Sequence, residues 1–583
     1  MVADDTTAGG RNTALVASGI LLSRLSGLVR QRVVGHFFGV SAVMDAFTAA
    51  FRIPNLVQNL LGEGTLSASF IPVYSRLLGD GRSDEARRLA GAVVSLVGVA
   101  AGGIALLIAL LADPVTSVIA PGLDAPTHDL TVSLTRIIAP GIALLSLSAW
   151  ALGILNSHGR FFLSYAAPVV WNGTQIALLT AVAVVVLDSP LRPESASLDD
   201  LERLVHALAL GTLVGALLQF LVQLPAVLRL VRPVRLSLRR DENTRRVLRA
   251  FGPVVLGRGI VQVTSFVELI LASLLVEGAI AALFIAQQLH VLPISLFGLS
   301  VAAAELPALS RAEPDPDDLR GRLEIGLRRI AFFVVPTLTA YVVFGDLLVG
   351  ALYQTGAFGR ADTLLVWLVL AALAVGLLPS TTSRLMQSSL FAVGETRLPA
   401  RLSVIRVVIA LAVGAGLMLQ FDRFAVTVAG DVVRAGALPA FGLVGASEQL
   451  PDGLHLGAVG LALGSALGAW VEWWLLRRAV ARRLDVRPRV GAHRRSLLIA
   501  AAVVAAIGLA GRTAVGSLHP IPAALLVGSA AGLAWLGTCR RLGVPEAQLS
   551  LVRLLVRAPA EGTPVPSEGA ADGDQADRSD SSS

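Results

Sequence analysis

The chain has 583 residues, of which 54% are hydrophobic and only 15% are charged, and its formal net charge is +7. Soluble domains carry roughly 25% charged residues, so this composition excludes an ordinary soluble protein. The excess of basic residues is located in loops, so it does not indicate that the protein binds nucleic acid. The single cysteine, Cys539, excludes an intramolecular disulfide and a cysteine-based metal cluster.

The N-terminal segment 1–12 is short and polar, and it does not resemble a cleaved signal peptide. After it, stretches of 18 or more mainly apolar residues recur, each long enough to cross the roughly 30 Å hydrocarbon core of a bilayer. The sequence therefore predicts an all-α polytopic membrane protein with about fourteen transmembrane helices. They are placed at 13–37, 42–76, 86–112, 130–156, 161–187, 202–228, 249–276, 279–308, 325–353, 362–392, 400–420, 455–480, 496–511 and 520–539.

Arginine is concentrated in every second loop. By count, roughly 33 arginines fall on one side of the predicted membrane and roughly 6 on the other. Because cytoplasmic loops carry the excess of basic residues, both termini are predicted to be cytoplasmic. The opposite loops, such as 112–128 and 420–456, are acidic or neutral.

A short motif recurs at an offset of 235 residues, since Phe70–Arg76 resembles Glu305–Arg311, and the same offset carries Gly159 onto Gly394. Six spans per unit is an even number, so the two halves have the same orientation in the membrane. The sequence thus predicts two six-helix lobes around a central cavity, plus two extra C-terminal helices.

The predicted boundaries follow from this repeat. The N-lobe is 13–230, the C-lobe is 231–484, and the two additional spans lie in 485–541. The remainder, 542–583, is expected to be cytoplasmic, with an amphipathic helix over Arg540–Val556 followed by a disordered tail rich in Pro, Gly, Ser and acids.

Polar residues occur in the first two spans, where hydrocarbon should exclude them. In the second span their spacing of three and four residues places them on one face of a helix, which is typical of a cavity-lining helix. Pro54 is expected to kink that helix. The polar set is Ser23, Arg24, Ser26, Arg30 and Arg32 in the first span, and Asp45, Thr48, Arg52, Asn55, Asn59 and Glu63 in the second.

Several of these residues have simpler explanations. Arg30 and Arg32 lie near the outer end of the first span and could reach the headgroups, and Asp45 could be a solvated cap. Asp45 and Arg52 are two turns apart, roughly 10 Å along the axis, so Arg52 needs a partner on a neighbouring helix or a ligand. Arg24 has no acid within reach on its own helix. Buried, unpaired guanidinium groups are best explained by an anionic ligand, and phosphate suits them.

The seventh span carries a second polar face, with Arg258, Gln262, Ser265 and Glu268 spaced by four, three and three residues. Glu268 is mid-membrane, and it is either a protonated structural residue or a coupling or gating residue. Gln287, Gln288 and His290 follow in the eighth span. Glu305 and Arg384 are interpreted as structural, and Glu472 as interfacial.

At these residues the chain resembles the MurJ/MviN family of lipid II flippases, within the multidrug/oligosaccharidyl-lipid/polysaccharide exporter superfamily. The resemblance covers all fourteen predicted spans. It is carried by Ser23–Arg30, Asp45–Phe47, Phe51–Asn55, Gly62–Gly64, Gly153–Asn156, Ala167–Pro168, Leu352–Phe358 and Gly394–Pro399.

The resemblance implies a multi-pass transporter of the bacterial cytoplasmic membrane that opens alternately to each side. Its substrate would be the undecaprenyl-diphosphate-linked peptidoglycan precursor, with the prenyl tail in a groove beside the last two spans, and cell-wall synthesis proteins would be plausible partners. Arg24, Arg30 and Arg52 would bind the diphosphate. The cavity and its gating would involve Ser23, Ser26, Asp45, Asn55, Asn59, Glu63, Gln262, Glu268 and Gln288.

The chain departs from the family pattern at three places. Gln288 stands where members commonly have an Arg, Gln58 stands where a basic residue is frequent, and Glu268 occupies a place that is usually uncharged. These changes leave open that the cargo is another polyprenyl-linked glycan.

Three other classes of function are alternatives. A cation-coupled multidrug exporter would use cavity acids such as Asp45, Glu63 and Glu268. A membrane transferase would need a metal or base cluster, but His158, His290 and His455 are scattered. The acidic triplets Asp315–Asp317 and Asp572–Asp574 have no folded domain around them. No catalytic residue, metal or cofactor is predicted, and a noncatalytic scaffold would not explain the buried arginines.

Overall fold

The structure, a computed structural model, is almost entirely helical. It describes residues 3–233, 236–237, 241–299, 316–393, 395, 397–440, 442–444, 450, 453–484, 493–516 and 518–548, with backbone alone for 3–17, 63, 256–261, 263–264, 297–299, 316–319 and 392.

Nineteen α-helices lie in this described part of the chain. They are α1 Ala3–Phe38, α2 Ala42–Leu61, α3 Glu63–Ser69, α4 Ile71–Gly79, α5 Ser83–Leu110, α6 Ala112–Ile119, α7 Ala125–Ile138, α8 Gly141–Ser157, α9 Phe161–Val186, α10 Leu198–Val231, α11 Glu242–Ser273, α12 Ala279–Pro293, α13 Pro316–Tyr353, α14 Arg360–Val375, α15 Leu377–Ala392, α16 Arg397–Phe421, α17 Gly457–Arg483, α18 Arg494–Ala514 and α19 Pro520–Arg541. A π-helical turn, Ile294–Leu299, continues α12, and short 3₁₀ turns occur at Pro193–Ser195 and Pro545–Gln548.

Every one of the fourteen predicted spans overlaps a helix or a group of consecutive helices. Ten helices or joined helices are long and apolar enough to cross a membrane, or eleven if α14 and α15, bent by 42° at their junction, are one span. The remaining three predicted spans correspond to α1, to α2–α4 and to α11, which carry most of the polar residues singled out in the sequence. The all-α membrane fold is confirmed, and the count of fourteen stays a prediction.

The second predicted span is broken. α2 passes through Pro54 and ends at Leu61, and Gly62 has a ψ of −148°, which turns the chain before α3 begins at Glu63. The expectation of six polar residues on one helical face is therefore wrong for Glu63, because the break separates it from the five on α2. The side chain of Glu63 lies outside the described residues.

The predicted outer loop between α16 and α17 contains a small antiparallel sheet. Its strands are β1 Phe424–Val426, β2 Val432–Arg434 and β3 Leu454–His455, in the order β2-β1-β3. The central strand β1 pairs Ala425 with Val433 on one side and with His455 on the other.

The apolar core shows where the two halves meet. We call α1–α10 the N-lobe, α12–α17 the C-lobe, and the end of the bundle with arginine-rich loops the inner end. The largest core cluster joins both lobes near the outer loops and includes Phe47, Leu283 and Val369. Two smaller clusters near the inner end are separate, one around Phe70 and Trp150 in the N-lobe and the first turns of α11, the other in the C-lobe. The lobes are therefore joined at the outer end.

The last two helices pack on α13 through their own apolar cluster. Near the outer end, buried Asp346 pairs with Arg512 at 3.0 Å and with Arg360 at 3.4 Å. Near the inner end, Arg328 of α13 pairs with Glu546, which is buried just after α19. Ion pairs thus fix α18 and α19 to the C-lobe at both ends.

Three predictions concern parts of the chain that the structure describes only partly. The helix expected over Arg540–Val556 is wrong up to residue 548, because α19 ends at Arg541 and a separate 3₁₀ turn follows, where Glu546 is held by Arg328. Residues 549–583, the second copy of the repeat (Glu305–Arg311) and Gly394 lie outside the described residues, as do the side chains of Asp315–Asp317.

Candidate functional site

Asp45 joins the two lobes at the outer end. It lies in the first turn of α2, where Ser41 Oγ accepts a hydrogen bond from the Met44 N–H at 3.4 Å. Its carboxylate is only 4% exposed and accepts hydrogen bonds from the N–H groups of Gly278 and Ala281, both at 2.7 Å. These donors are at the start of α12, where helical N–H groups lack partners within the helix. Asp45 therefore caps a C-lobe helix and is not the solvated cap considered as an alternative.

Arg32 makes a complementary contact at the outer end of α1. Its Nη1 donates to the carbonyl oxygens of Ala351 and Leu352, at 2.7 and 2.9 Å. These carbonyls belong to the last turn of α13, where they lack helical partners and where the helix dipole favours a cation. Among the described residues, Arg32 is thus held by the C-lobe, which argues against the headgroup alternative.

His36 completes the contact between α1 and the C-lobe. One ring nitrogen lies 3.1 Å from Thr355 Oγ1, and the other lies 3.1 Å from the Pro190 carbonyl oxygen. The Ala357 N–H donates to the His36 carbonyl at 2.9 Å. Gly356 has a φ of +56°, and a Cβ there would lie 2.4 Å from the His36 oxygen, so this turn requires glycine. We call the contacts of Arg32, His36 and Asp45 with the C-lobe the outer lock.

A cavity of about 940 Å³ lies between the lobes on the outer side, beneath the sheet. Asp45 is part of its wall, so one residue of the outer lock borders this cavity. Its other charged lining residues are Asp124, Glu277, Arg360 and Asp362.

Arg30 is held against the N-lobe. Its Nη1 donates to Gln175 Oε1 at 3.3 Å, and its guanidinium carbon lies 5.2 Å from the centre of the Trp171 ring. Thr212 Oγ1 donates to the same Gln175 oxygen at 3.3 Å, while the Arg30 Nε is buried without a partner. Arg30 therefore has donors left for a ligand.

Helix α9 supplies a polar wall that the sequence analysis did not single out. Asn172 Nδ2 donates to Ser26 Oγ at 2.9 Å, and Ser26 Oγ donates to the Ser23 carbonyl oxygen at 2.8 Å. Phe51 of α2 stacks on Trp171 with ring centres 6.0 Å apart. The signal available in the sequence was Asn172 and Gln175, two buried amides in an otherwise apolar span.

Arg52 lies between the lobes. Its Nη2 donates to the Ser265 carbonyl oxygen of α11 at 3.4 Å, and Glu268 is the nearby acid that acts on it. Of the two partners expected for Arg52, a neighbouring helix or a ligand, the structure shows the first, and the ligand stays a prediction. Its Nε is buried without a partner.

Glu268 is already bonded to C-lobe residues. Gln287 Nε2 donates to its Oε2 at 2.9 Å, and Ser465 Oγ donates to its Oε1 at 2.6 Å. The carboxylate thus connects α11, α12 and α17.

The other residues expected at the cavity are more exposed. Within the described part of the chain, Arg24 is exposed and has no hydrogen-bond or ion-pair partner, and Gln288 is also exposed. Asn59 Nδ2 donates to Asn55 Oδ1 at 2.8 Å, and Gln262 is half-buried. The side chain of Arg258 lies outside the described residues.

A second polar cluster in the C-lobe differs from expectation. Glu472 lies well inside α17, is 1% exposed, and accepts hydrogen bonds from Gln387 at 3.0 Å, Ser403 at 2.8 Å and Arg406 at 2.9 Å. The interfacial interpretation of Glu472 is therefore wrong, because α17 continues eleven residues beyond it. Arg384, interpreted as structural, lies beside this cluster.

Among the described residues, no group of three or more His, Cys, Asp and Glu side chains could hold a metal ion. His455 belongs to β3, where its Nδ1 is 2.7 Å from the Asp422 carbonyl oxygen.

Comparison with known proteins gives a consistent result. A family model described as lipid II flippase MurJ matches residues 34–519. The lipid II flippase MurJ of Burkholderia cenocepacia is 30% identical over 402 residues, covering 67% of this chain and 75% of that protein. The probable lipid II flippase MurJ of Bdellovibrio bacteriovorus is 31% identical over 460 residues, covering 76% of this chain and 83% of that protein.

Solved structures share the fold. A structure titled lipid II flippase MurJ, inward closed conformation, superposes with a TM-score of 0.69 at 19% identity, covering 91% of this chain and 99% of that one. An inward-facing multidrug resistance MATE family transporter of the MOP superfamily gives a TM-score of 0.59 at 16% identity, covering 81% of this chain and 98% of that one.

Proposed function

The chain belongs to the lipid II flippase MurJ family, and we propose that it moves lipid II from the inner to the outer leaflet of a bacterial cytoplasmic membrane. Both termini are then cytoplasmic, and the arginine-rich end of the bundle faces the cytoplasm. The proposed function includes no covalent step and requires no cofactor. Its other partners are the bilayer itself and, by family resemblance, proteins of cell-wall synthesis.

The observation that carries the proposal is the state of the arginines on α1 and α2. Arg24 has no partner among the described residues, and Arg30 and Arg52 each donate one hydrogen bond there, so both keep unbonded N–H groups. Charged groups at membrane depth are costly unless they face water or a partner, and guanidinium groups bind phosphate oxygens in pairs. A diphosphate in the cavity would give these three side chains the acceptors that the protein does not.

The position of the outer lock supports alternating access. Arg32, His36 and Asp45 join the lobes at the outer end, while the two inner-end core clusters are separate. A ligand would then enter from the inner side, and its release outward requires the lock to open. Transport follows if the bound lipid shifts the balance between the two states.

A cation-coupled exporter is less well supported, because two of its three candidate acids, Asp45 and Glu268, are occupied. Asp45 caps α12, and Glu268 accepts two hydrogen bonds from Gln287 and Ser465. Neither carboxylate is left to bind a cationic drug.

A second cargo remains a candidate because of Gln288. It is exposed, as a cavity residue would be, yet it is uncharged at a place where the family resemblance leads one to expect an arginine. A different polyprenyl-diphosphate glycan would fit the same arginines.

The test is rescue of a bacterium depleted of its own lipid II flippase. We expect the intact chain to restore growth and lipid II translocation, and Arg24→Ala and Arg52→Ala to fail at equal expression. Arg401→Ala, which removes an exposed arginine of α16, is the matched control and should rescue. If the well-expressed intact chain does not rescue, lipid II is not its cargo.

A further inference from the structure

Helix α15 has one polar stripe that is not buried. Of residues 380–390, only Arg384, Gln387 and Ser388 are not buried, and Arg384 alone is exposed. Their spacing of three and four places them on one face of the helix. A stripe that faced hydrocarbon would be apolar, so this stripe faces water inside the protein.

Arg384 is not paired with an acid among the described residues. It lies one turn before Gln387 on α15, and Gln387 binds Glu472. Glu472 pairs with Arg406 at 2.9 Å, and Gln387 and Ser403 donate to its other oxygen. The nearby acid is therefore fully bonded, and Arg384 is left for another partner.

The depth of this cluster matches that of the N-lobe arginines. Arg384 lies eight residues before the inner end of α15, about 12 Å at 1.5 Å per residue. Arg24 lies eleven residues after the start of the first predicted span, about 16 Å from its inner end by the same rise. Both cations are thus well inside their helices, on opposite lobes.

Helix α12 links this cluster to Arg52. Gln287 of α12 bonds Glu268, the acid beside Arg52. His290, one turn further towards the inner end on the same face, lies near Arg406. Polar groups therefore continue from Arg52 to the Arg406–Glu472 pair.

We propose that Arg384 is a second, C-lobe contact for the diphosphate of the carried lipid, bound together with Arg24 of the N-lobe. Arg406, Glu472 and Gln387 are positioning residues that hold the α15 stripe towards the cavity. The proposal rests on the proposed function. It assigns to Arg384 the positive charge of the C-lobe that Gln288, standing where the family commonly has an arginine, does not supply. A ligand held between Arg384 and Arg24 would draw the inner halves of the two lobes together.

The test is binding of farnesyl diphosphate to the purified full-length chain in nanodiscs, with farnesol as the uncharged probe. We expect Arg384→Gln to weaken farnesyl diphosphate binding at least about tenfold, the loss expected for one charge-assisted contact. Farnesol binding should not change. Arg384→Lys should retain part of the affinity, and Arg401→Gln, the matched control, should retain all of it.

Two results would overturn the proposal: no binding of farnesyl diphosphate by the intact chain, or equal binding by Arg384→Gln. A lower melting temperature with unchanged affinity would also overturn it, because that is the behaviour of a structural arginine. Rescue of flippase-depleted cells is scored separately. Failure of the intact chain to rescue, with the diphosphate still bound through Arg384, overturns the lipid II cargo and leaves the assignment of Arg384 standing.

Discussion

The carboxylate of Asp45 accepts a 2.7 Å hydrogen bond from the backbone N–H of Ala281, so an N-lobe side chain caps a C-lobe helix. A second bond of 2.7 Å comes from Gly278. Both bonds require the lobes to be in contact at the outer end. They therefore stabilise one state of the transporter relative to the other, which is how a gate acts in an alternating-access cycle.

Replacing Asp45 should weaken the outer lock. Hydrogen bonds to charged groups contribute about 1.5–3 kcal/mol each, so Asp45→Ala should shift the balance towards an open outer end by tenfold or more. Asp45→Asn keeps one acceptor oxygen and should give an intermediate shift. The measurement is labelling of Thr48→Cys by a membrane-impermeant maleimide, in a chain that also carries Cys539→Ala.

Thr48 suits this test because it is buried one turn inward from Asp45. Asp129→Asn is the control, since Asp129 is an exposed acid on the outer side that does not contact the lock. Equal labelling rates in Asp45→Ala and the intact background would contradict the gating role.

Arg32 acts on the same equilibrium through a different helix. Arg32→Gln removes the cation from the last turn of α13 and should also increase Thr48→Cys labelling. Arg32→Lys keeps the charge and should retain part of the closure. Because Asp45 and Arg32 hold separate helices, α12 and α13, their effects on the free energy of opening should add in the double variant. A double variant no more open than either single one would mean that the two contacts form one coupled unit.

Hydropathy located the helices, because each span must present apolar side chains to lipid or to its neighbours. It could not supply the partners of the charged residues. Asp45 and Gly278 are 233 residues apart, and Arg32 and Ala351 are 319 apart. The sequence shows which charged groups require a bonding partner, as for Arg52. Only the folded structure shows which neighbouring residue is that partner.

Periodicity had a similar limit. The three-and-four spacing in α2 correctly indicated one polar face, but the break at Gly62 depends on a single backbone angle and not on side-chain pattern. Glu472 was assigned to the interface because it lies towards the end of the predicted span 455–480, but its side chain is buried within α17. The burial of Glu472 inside the protein is visible only in the structure, where it pairs with Arg406 on α16.

The Arg406–Glu472 pair gives a stability prediction. Arg406→Gln leaves a buried carboxylate without its cation, a change that typically costs about 3–5 kcal/mol. The melting temperature of the purified protein should therefore fall. The double variant Arg406→Gln/Glu472→Gln removes both charges and should recover most of the loss, whereas Arg401→Gln should have little effect. Equal melting temperatures for the Arg406 single and double variants would show that the charge imbalance is not the cause.

The outer sheet should respond to pH through Asp422. Burial raises the pKa of Asp422 above its ordinary value of 3.8, and the Val444 N–H, His455 and Arg423 offset this only in part. A raised pKa in the folded state means that the protonated carboxyl is favoured there. The resulting stability is fully present below about 3.8 and is lost as pH rises through the raised pKa.

Asp422→Asn should remove this pH dependence, because the amide carries no charge and keeps an oxygen for the Val444 N–H, which Asp422 Oδ2 accepts at 3.1 Å. The measurement is hydrogen–deuterium exchange of β1 and β2 between pH 4 and 8, corrected for intrinsic exchange rates. Protection should fall with pH in the intact chain and change less in Asp422→Asn. Protection that rose with pH in the intact chain alone would mean that the folded state favours the carboxylate, with His455 and Arg423 outweighing burial.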